Sequence, residues 1–396
     1  MPNFERAMVT KLEKRLREED LLIQMIVGPR QTGKTTAIKQ TIEKIPTPVH
    51  YVSADGAGLK SGEWLEREWE HARLLNTQSK RGALLVVDEI QKVTDWSDIA
   101  KMLWDQDRWN NSTLKVVLTG SSSLLLSEGM TESLMGRYEV LHSPHWSLAE
   151  CQAAFDYSLE EFLFYGGYPG SSRYRDDYER WADYLVNSII EPTISRDVLQ
   201  LKQIRKPALL RALFYLGATY SGQELTYDKM LGQLKEKGNA TTLANYLELL
   251  TKANMLTGMQ KYSGQMIQQR RSSPRLMVYD TSLMTSAAEL TPRQLKEDTT
   301  YRGRIVESAV GAYLLARGQE ERYEVFWWRE RGDEVDFIIK KGERLTAIEV
   351  KSGRIKNTEG SLVFMKQHPE ALSYVVGSTS TPLDRFLRGE YPLFKE

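Results

Sequence analysis

Long hydrophobic runs are missing from this chain. Its apolar stretches, such as Leu84–Val87 and Leu124–Leu126, fall far short of the roughly 20 residues that span a bilayer, so no membrane partner is expected. The N-terminus mixes acids and bases without an apolar segment, and no secretory signal is read there. Cysteine is nearly absent: one thiol, Cys151, cannot close an internal disulfide, which points to a cytoplasmic setting. Beside Phe155 and with no recognisable histidine partner, it reads as a packing residue, not a nucleophile. Charge of one sign is lacking too, since 53 Lys+Arg against 53 Asp+Glu leave a net charge of zero. A strongly basic chain would have favoured nucleic acid over its whole surface; here any DNA-binding surface has to be local. The segment 261–275, with Lys261, Arg270, Arg271 and Arg275 and no acid, is the candidate.

The rest of the composition is that of a folded, soluble protein, with 41% hydrophobic and 27% charged residues. A length of 396 residues suggests two or three domains. In the first part LLIQMIVG, PVHYVSA, ALLVVDE, LKVVLTGSS and YEVLHSP read as strands with helical pattern between them. That alternation implies a parallel sheet covered by helices, closing near Pro144. The middle then reads as helical, with SLEEFLFYGGYPG ending in a Gly- and Pro-rich turn and YERWADYLVNSIIEPTISRDVL carrying apolar residues at helical spacing. TYDKMLGQL and TTLANYLELLTKANML make two further helices before the strand-like GMQKY and RLMVYD, the order of a winged helix. RIVESAVGAYLLARG reads as an amphipathic helix capped by Gly318, and YEVFWWRE, EVDFIIKK, LTAIEVKS and SYVVGS as four strands of a last α/β unit.

GPRQTGKT, from Gly28 through Pro29, Arg30, Gln31, Thr32, Gly33 and Lys34 to Thr35, satisfies G-x-x-x-x-G-K-[ST] between an apolar strand and a helix. Glycines let backbone N–H groups converge on phosphate oxygens, and the helix N-terminus that begins near Thr36 adds a favourable dipole. Lys34 is expected on the β- and γ-phosphates and the Thr35 hydroxyl on Mg²⁺. LLVVDE adds a buried strand ending in Asp88, expected to hold the Mg²⁺, and Glu89, expected to polarise the attacking water. ATP and Mg²⁺ are therefore the implied cofactors.

Two further sites are read from the residues. In the winged-helix segment, Thr241, Thr242, Asn245 and Tyr246 are placed to face DNA, although Glu248 on the same helix repels phosphate. Arg270 and Arg271, in the wing, are the stronger phosphate contacts, and packing or protein contact is the other use of such a module. Near the C-terminus, Asp336 lies on one strand, and Glu349 and Lys351 share a face of the next, with Glu307 upstream on the long helix. Clustered carboxylates call for a cation; a salt bridge from Lys351 to Asp336 or Glu349 is the simpler alternative.

The first 144 residues resemble an AAA-type ATPase core. The resemblance puts the sensor at Thr119 or Ser121, at the end of KVVLTGSSS. It puts the arginine finger at Arg137 in LMGRYEV, with Arg196 a second candidate and a surface arginine at a helix end the alternative for Arg137. A finger completes a neighbour's site, so the resemblance implies a homo-oligomer, a hexamer among the options. DEVDFII and IEVKSG resemble the PD-(D/E)XK nuclease core, in which Asp336, Glu349 and Glu307 hold a divalent metal and Lys351 positions or activates the attacking water. GPRQTGKT, LLVVDEIQK, TGSSS, LMGRY, YGGYPG, RGRIVESAV, DEVDFII and IEVKSG follow one another as in prokaryotic AAA-type ATPases that carry a C-terminal nuclease-like domain of unknown function. The fold class this implies is α/β, with a P-loop AAA+ parallel-sheet core at 1–145 and a helical lid and connector at 146–222. A winged helix at 223–290 and a PD-(D/E)XK nuclease-like α/β domain at 291–396 follow. The implied function is ATP hydrolysis acting on DNA by remodelling, translocation or branched-DNA processing, with a coupled nuclease. The alternative is an ATP-dependent regulatory switch with an inactive nuclease-like scaffold.

Overall fold

A computed structural model describes the chain except residues 1–3, 57–59, 122–133, 199–203, 205, 235–237, 264–272, 289–290, 354–358 and 396. Arg270 and Arg271 lie outside the described residues, and Ser121 and Arg196 are described in backbone only. The described chain divides after Pro144 into two units, Met1–Pro144 and His145–Glu396.

The first unit is built on β1 (Ile23–Gly28), β2 (Val49–Ser53), β3 (Leu84–Asp88), β4 (Lys115–Ser121) and β5 (Tyr138–His142). They form one parallel sheet in the order β2-β3-β4-β1-β5. Among the described residues it is accompanied by the α-helices α1 (Ala7–Arg17), α2 (Lys34–Lys44), α3 (Gly62–Gln78) and α4 (Trp96–Trp109). α1 and α2 bury Met8, Val9, Leu12 and Ile38 against one face; α3 and α4 bury Leu65, Trp69, Trp96 and Leu103 against the other. Covered on both faces, β1 and β3 are buried at every position, which is why they read as unbroken apolar runs. α2 ends at Lys44, just ahead of Pro46 and Pro48.

In the second unit, helices Leu148–Phe155 and Leu159–Tyr165 each start in a capping box, Ser147 with Glu150 and Ser158 with Glu161. The YGGYPG turn serves a buried acid: Gly166 has φ 68°, and a Cβ there would strike Asp280. The adjacent Gly167 N–H donates to Asp280 Oδ2 at 2.7 Å. Buried, with no cation beside it among the described residues, Asp280 has its pKa pushed up to about 6 by burial, against hydrogen bonds from Ser282 and Gly167. From Tyr178 the chain is helical as read, α-helical to Tyr184 and then with π-helical stretches over Leu185–Ile190 and Thr193–Val198.

Helices Tyr227–Gln233 and Ala240–Lys252 precede an antiparallel pair, β6 (Leu256–Met259) and β7 (Arg275–Val278). The last sheet runs β11-β10-β9-β8, with β8 (Glu324–Glu330), β9 (Asp333–Lys341) and β10 (Arg344–Val350) antiparallel and β11 (Leu372–Val376) parallel to β10. The long helix ahead of this sheet differs from its sequence reading. The helix Thr299–Glu321 runs past Gly318 and ends at Arg322, which takes the left-handed φ of 59°. Consecutive residues Ser308–Ala312 are all buried, so it is an internal helix and not an amphipathic one. Gly318 is small because a Cβ would approach the Tyr323 carbonyl oxygen to 2.9 Å, not because it caps.

Candidate functional site

The loop between β1 and α2 follows from its glycines. Gly33 has φ 88° and Gln31 φ 60°, turning the backbone into the start of α2. At Gly28 a Cβ would run into the Ser143 carbonyl. Lys34 is buried, and its Nζ donates to the Gly28 and Pro29 carbonyls at 2.8 and 2.7 Å, inside the curl of the loop. Thr32 is fully buried, with its hydroxyl donating to Pro29 O at 3.0 Å; Arg30 is half-buried and Thr36 exposed.

Asp88, at the end of β3, gathers two hydroxyls on one oxygen: Thr35 Oγ1 donates to Oδ2 at 2.9 Å and Tyr51 Oη at 3.0 Å. Burial, then the Asp88 charge, push the Tyr51 pKa up, so the phenol stays a donor. Glu89 takes a left-handed φ of 57°, its N–H donating to Asp88 Oδ1 at 3.0 Å and its Oε2 accepting from Gln91 Nε2. This left-handed backbone is one that a non-glycine residue adopts rarely. Continuing the register Val87↔Leu118 sets Thr119 beside Asp88 on the adjacent strand. The Thr119 hydroxyl is fully buried and has no hydrogen-bond partner among the described residues. Ser121 lies two positions on, in the last residue of β4.

A residue the sequence reading missed braces this loop. Arg6, buried at the start of α1, donates to Thr32 O at 3.2 Å and Ser143 Oγ at 3.1 Å. Its partners lie 26 and 137 positions away, so no local pattern signals it. Arg137, by contrast, is held in its own chain: Nε donates to Asp105 Oδ1 at 2.7 Å and Nη2 to Oδ2 at 3.1 Å, with the guanidinium 5.8 Å from the Trp104 ring centre.

In the second unit Tyr246 does not face outward as the DNA reading of its helix requires. It is buried, and its hydroxyl accepts from Lys206 N at 3.2 Å, because apolar neighbours Leu243, Leu247 and Leu250 turn that side of the helix inward. Thr241 and Asn245 are exposed and Thr242 half-buried, while Glu248 pairs with Lys252 at 2.8 Å. Lys261 stands 5.9 Å from the Trp327 ring centre.

Arg275 leaves the basic patch altogether. Its side chain, 5% exposed, lies among carboxylates, 3.3 Å from Glu307, 3.5 Å from Asp336 and paired also with Glu334. Glu334 is shared with Arg329, which reaches Glu224 at 2.7 Å. Asp336 Oδ2 accepts from Val350 N at 2.8 Å. Glu349 turns to other partners: Oε1 accepts from Ser361 N at 2.8 Å, and Oε2 lies 3.2 Å from Lys351 Nζ. Glu307 is pushed up in pKa by burial and then by Asp336, against Arg275, Arg304 and Lys351, although 20% of its side chain meets solvent. Among the described residues these carboxylates do not come together within 4.8 Å as a metal-ligating trio. A guanidinium supplies the cation that their clustering calls for.

Residues 22–152 match a family described as an AAA domain, 156–294 a domain of unknown function (DUF8612), and 302–386 a second domain of unknown function (DUF4143). An uncharacterized protein of Methanocaldococcus jannaschii is 25% identical over 385 residues, covering 88% of this chain and 80% of that protein. One of Mycobacterium tuberculosis is 24% identical over 345 residues, covering 83% of this chain and 70% of its own. Among solved structures, a Walker-type ATPase of Pyrococcus abyssi superposes with a TM-score of 0.53 at 14% identity, over 73% of this chain and 98% of that one. The P-loop geometry and the AAA match agree: the first unit is an ATPase core of the AAA type. No helix among the described residues is long and apolar enough to cross a membrane.

Proposed function

We propose that this AAA-type ATPase hydrolyses ATP at the β1–α2 loop and uses turnover to act on DNA, by remodelling or movement along it. The observation that carries the catalytic part is the arrangement at Asp88. Its carboxylate and the Thr35 hydroxyl stand 2.9 Å apart, both oxygen donors of the kind Mg²⁺ takes. Bound there, Mg²⁺ would neutralise charge on the phosphates. The backbone N–H groups at the start of α2 bind the β-phosphate oxygens, and Lys34 exchanges its carbonyl partners for β- and γ-oxygens. Glu89, on its left-handed turn, orients a water against the γ-phosphorus and accepts its proton as the bond to the β–γ bridging oxygen breaks, leaving ADP and phosphate. Thr119, or Ser121 beyond it, is the hydroxyl that senses the γ-phosphate.

Support for DNA as the partner comes from the second unit. Its helix–helix–hairpin order is that of a winged helix with Thr241 and Asn245 exposed on the second helix, and its last sheet is built from the four strands read for the C-terminal α/β unit. Assembly into a ring of copies belongs to the same reading. An exposed ion pair holds Arg137 by no more than about 1 kcal/mol, so the guanidinium can leave Asp105 for a neighbour's phosphate.

The carboxylates around Arg275 favour a second reading, an ATP-dependent regulatory switch whose C-terminal domain is a scaffold. They do not fit a metal while the guanidinium stands among them, and no hydrolytic step is derived there. One experiment separates the two. ATPase rate is measured against single-stranded, duplex and branched DNA, with product gels run from the same reactions. Stimulation by any of these forms supports action on DNA. A rate unmoved by all of them, with no cleavage in Mg²⁺ or Mn²⁺, leaves the switch.

A further inference from the structure

We propose that the ATPase unit carries a transition-metal site, suited to Zn²⁺, formed by His50, Glu68 and His71 on the outer edge of its sheet. His50 lies on β2, which closes one edge of the sheet, and Glu68 and His71 lie on α3, which packs against that strand. Three positions apart, Glu68 and His71 share one face of the helix. The ligand atoms of all three lie within 4.8 Å of one another.

The spacing is that of a coordination shell. Bonds of about 2.0–2.1 Å at tetrahedral angles set ligand atoms roughly 3.3 Å apart. Here Glu68 Oε2 lies 2.9 Å from His50 Nε2 and 3.5 Å from His71 Nδ1. Both imidazoles converge on a single oxygen, while the other, Oε1, faces Arg67 Nη2 at 3.5 Å. That arginine offsets the carboxylate from outside and leaves Oε2 to the histidines. Glu68 is 12% exposed, so its position is held by packing, whereas His71 is 52% exposed and opens the fourth position to water. Two imidazoles and one carboxylate suit Zn²⁺, Cu²⁺ or Ni²⁺ far better than Mg²⁺, which takes oxygen donors. The site is therefore chemically separate from the Thr35–Asp88 pair on the same sheet.

Equilibrium dialysis of the full chain against Zn²⁺ alone, at neutral pH with no nucleotide, tests it. The expected result is about one Zn²⁺ held per chain, undisturbed by excess Mg²⁺. His50→Ala, Glu68→Gln and His71→Ala should each weaken binding by about tenfold or more, while His368→Ala, in the other unit, should not. Because His71 is the most exposed of the three, its variant is the one least exposed to loss of folding, and Co²⁺ absorption in the visible gives a second readout of tetrahedral nitrogen and oxygen ligation. An unaltered chain that holds no Zn²⁺ overturns the proposal, as do site variants that bind as it does.

Discussion

Two regions of this protein hold bases and acids together in one unit, and they balance charge in opposite ways. At the glycine loop, Lys34 bonds to two neutral carbonyls and Asp88 to two neutral hydroxyls. Phosphate oxygens can take the place of those carbonyls at Lys34, and a cation can join the Thr35 hydroxyl at Asp88. In the second unit Arg275 is cancelled directly by Glu307, Glu334 and Asp336. Freeing those carboxylates means exposing a buried guanidinium or leaving half-buried acids uncompensated, each costly. The first arrangement receives ligands. The second is already satisfied by the chain, and the same types of residue do not by themselves make a site.

The largest expected effect breaks the receptive side. Glu89→Gln should bind ATP but lose turnover by about 10²- to 10⁴-fold, the range of a positioned general base. Lys34→Ala should lose nucleotide affinity as well, measured by titration with a fluorescent ATP analogue. Turnover unchanged in Glu89→Gln would remove Glu89 from the mechanism.

On the satisfied side, Arg275→Met leaves three carboxylates without their shared cation and should destabilise the second unit by about 3–5 kcal/mol. Hydrogen exchange at β7 and β9 reads the local loss without assuming that the whole chain unfolds in one step. If exchange there is unchanged, the acids find water or other cations readily, and the contrast between the two regions fails.

Asp280 sharpens the comparison, since among the described residues it is a buried acid held by N–H and hydroxyl donors and not by a cation. Its pKa is raised from 3.8 to about 6, so the folded unit holds the proton more tightly than the unfolded chain does. The stability it contributes is therefore full below about pH 4 and is lost as pH rises through 6. A shift of this size corresponds to something on the order of 2–3 kcal/mol. Urea unfolding between pH 4 and 7 should show that decline, and Asp280→Asn should flatten it.

These cases also mark what the chain's letters disclose. The parallel sheet, the loop at Gly28–Thr35 and the Asp88–Glu89 pair were legible because each depends on neighbours in sequence: an apolar run, a glycine spacing, a strand end. Arg6 on the loop and Arg275 among carboxylates were not, since each depends on residues tens of positions away, whereas the inward turn of Tyr246 follows the apolar side of its own helix, marked by Leu243, Leu247 and Leu250. Arg275 is instructive because its local context, basic and free of acids, pointed outward, while the acids that bury it come from Glu307 and the strand beginning at Asp333. Gly318 misled for a related reason. A glycine near the end of an apolar pattern resembles a cap, yet its smallness serves an approach by the Tyr323 backbone.

The smallest expected effect decides how the ATP site is completed. Arg137 and Asp105 form a well-aligned pair, but side-chain exposures of 27% and 42% leave it screened by water. Arg137→Ala should therefore change the stability of the first unit by no more than about 1 kcal/mol. That small cost makes turnover informative, because a loss in Arg137→Ala cannot then be blamed on unfolding. If the guanidinium serves a neighbour, mixing Arg137→Ala chains with Lys34→Ala chains restores part of the rate, since some interfaces pair an intact loop with an intact arginine. If mixing restores nothing, Arg137 does no more than hold Asp105 and Trp104, and the receptive region is complete within a single chain.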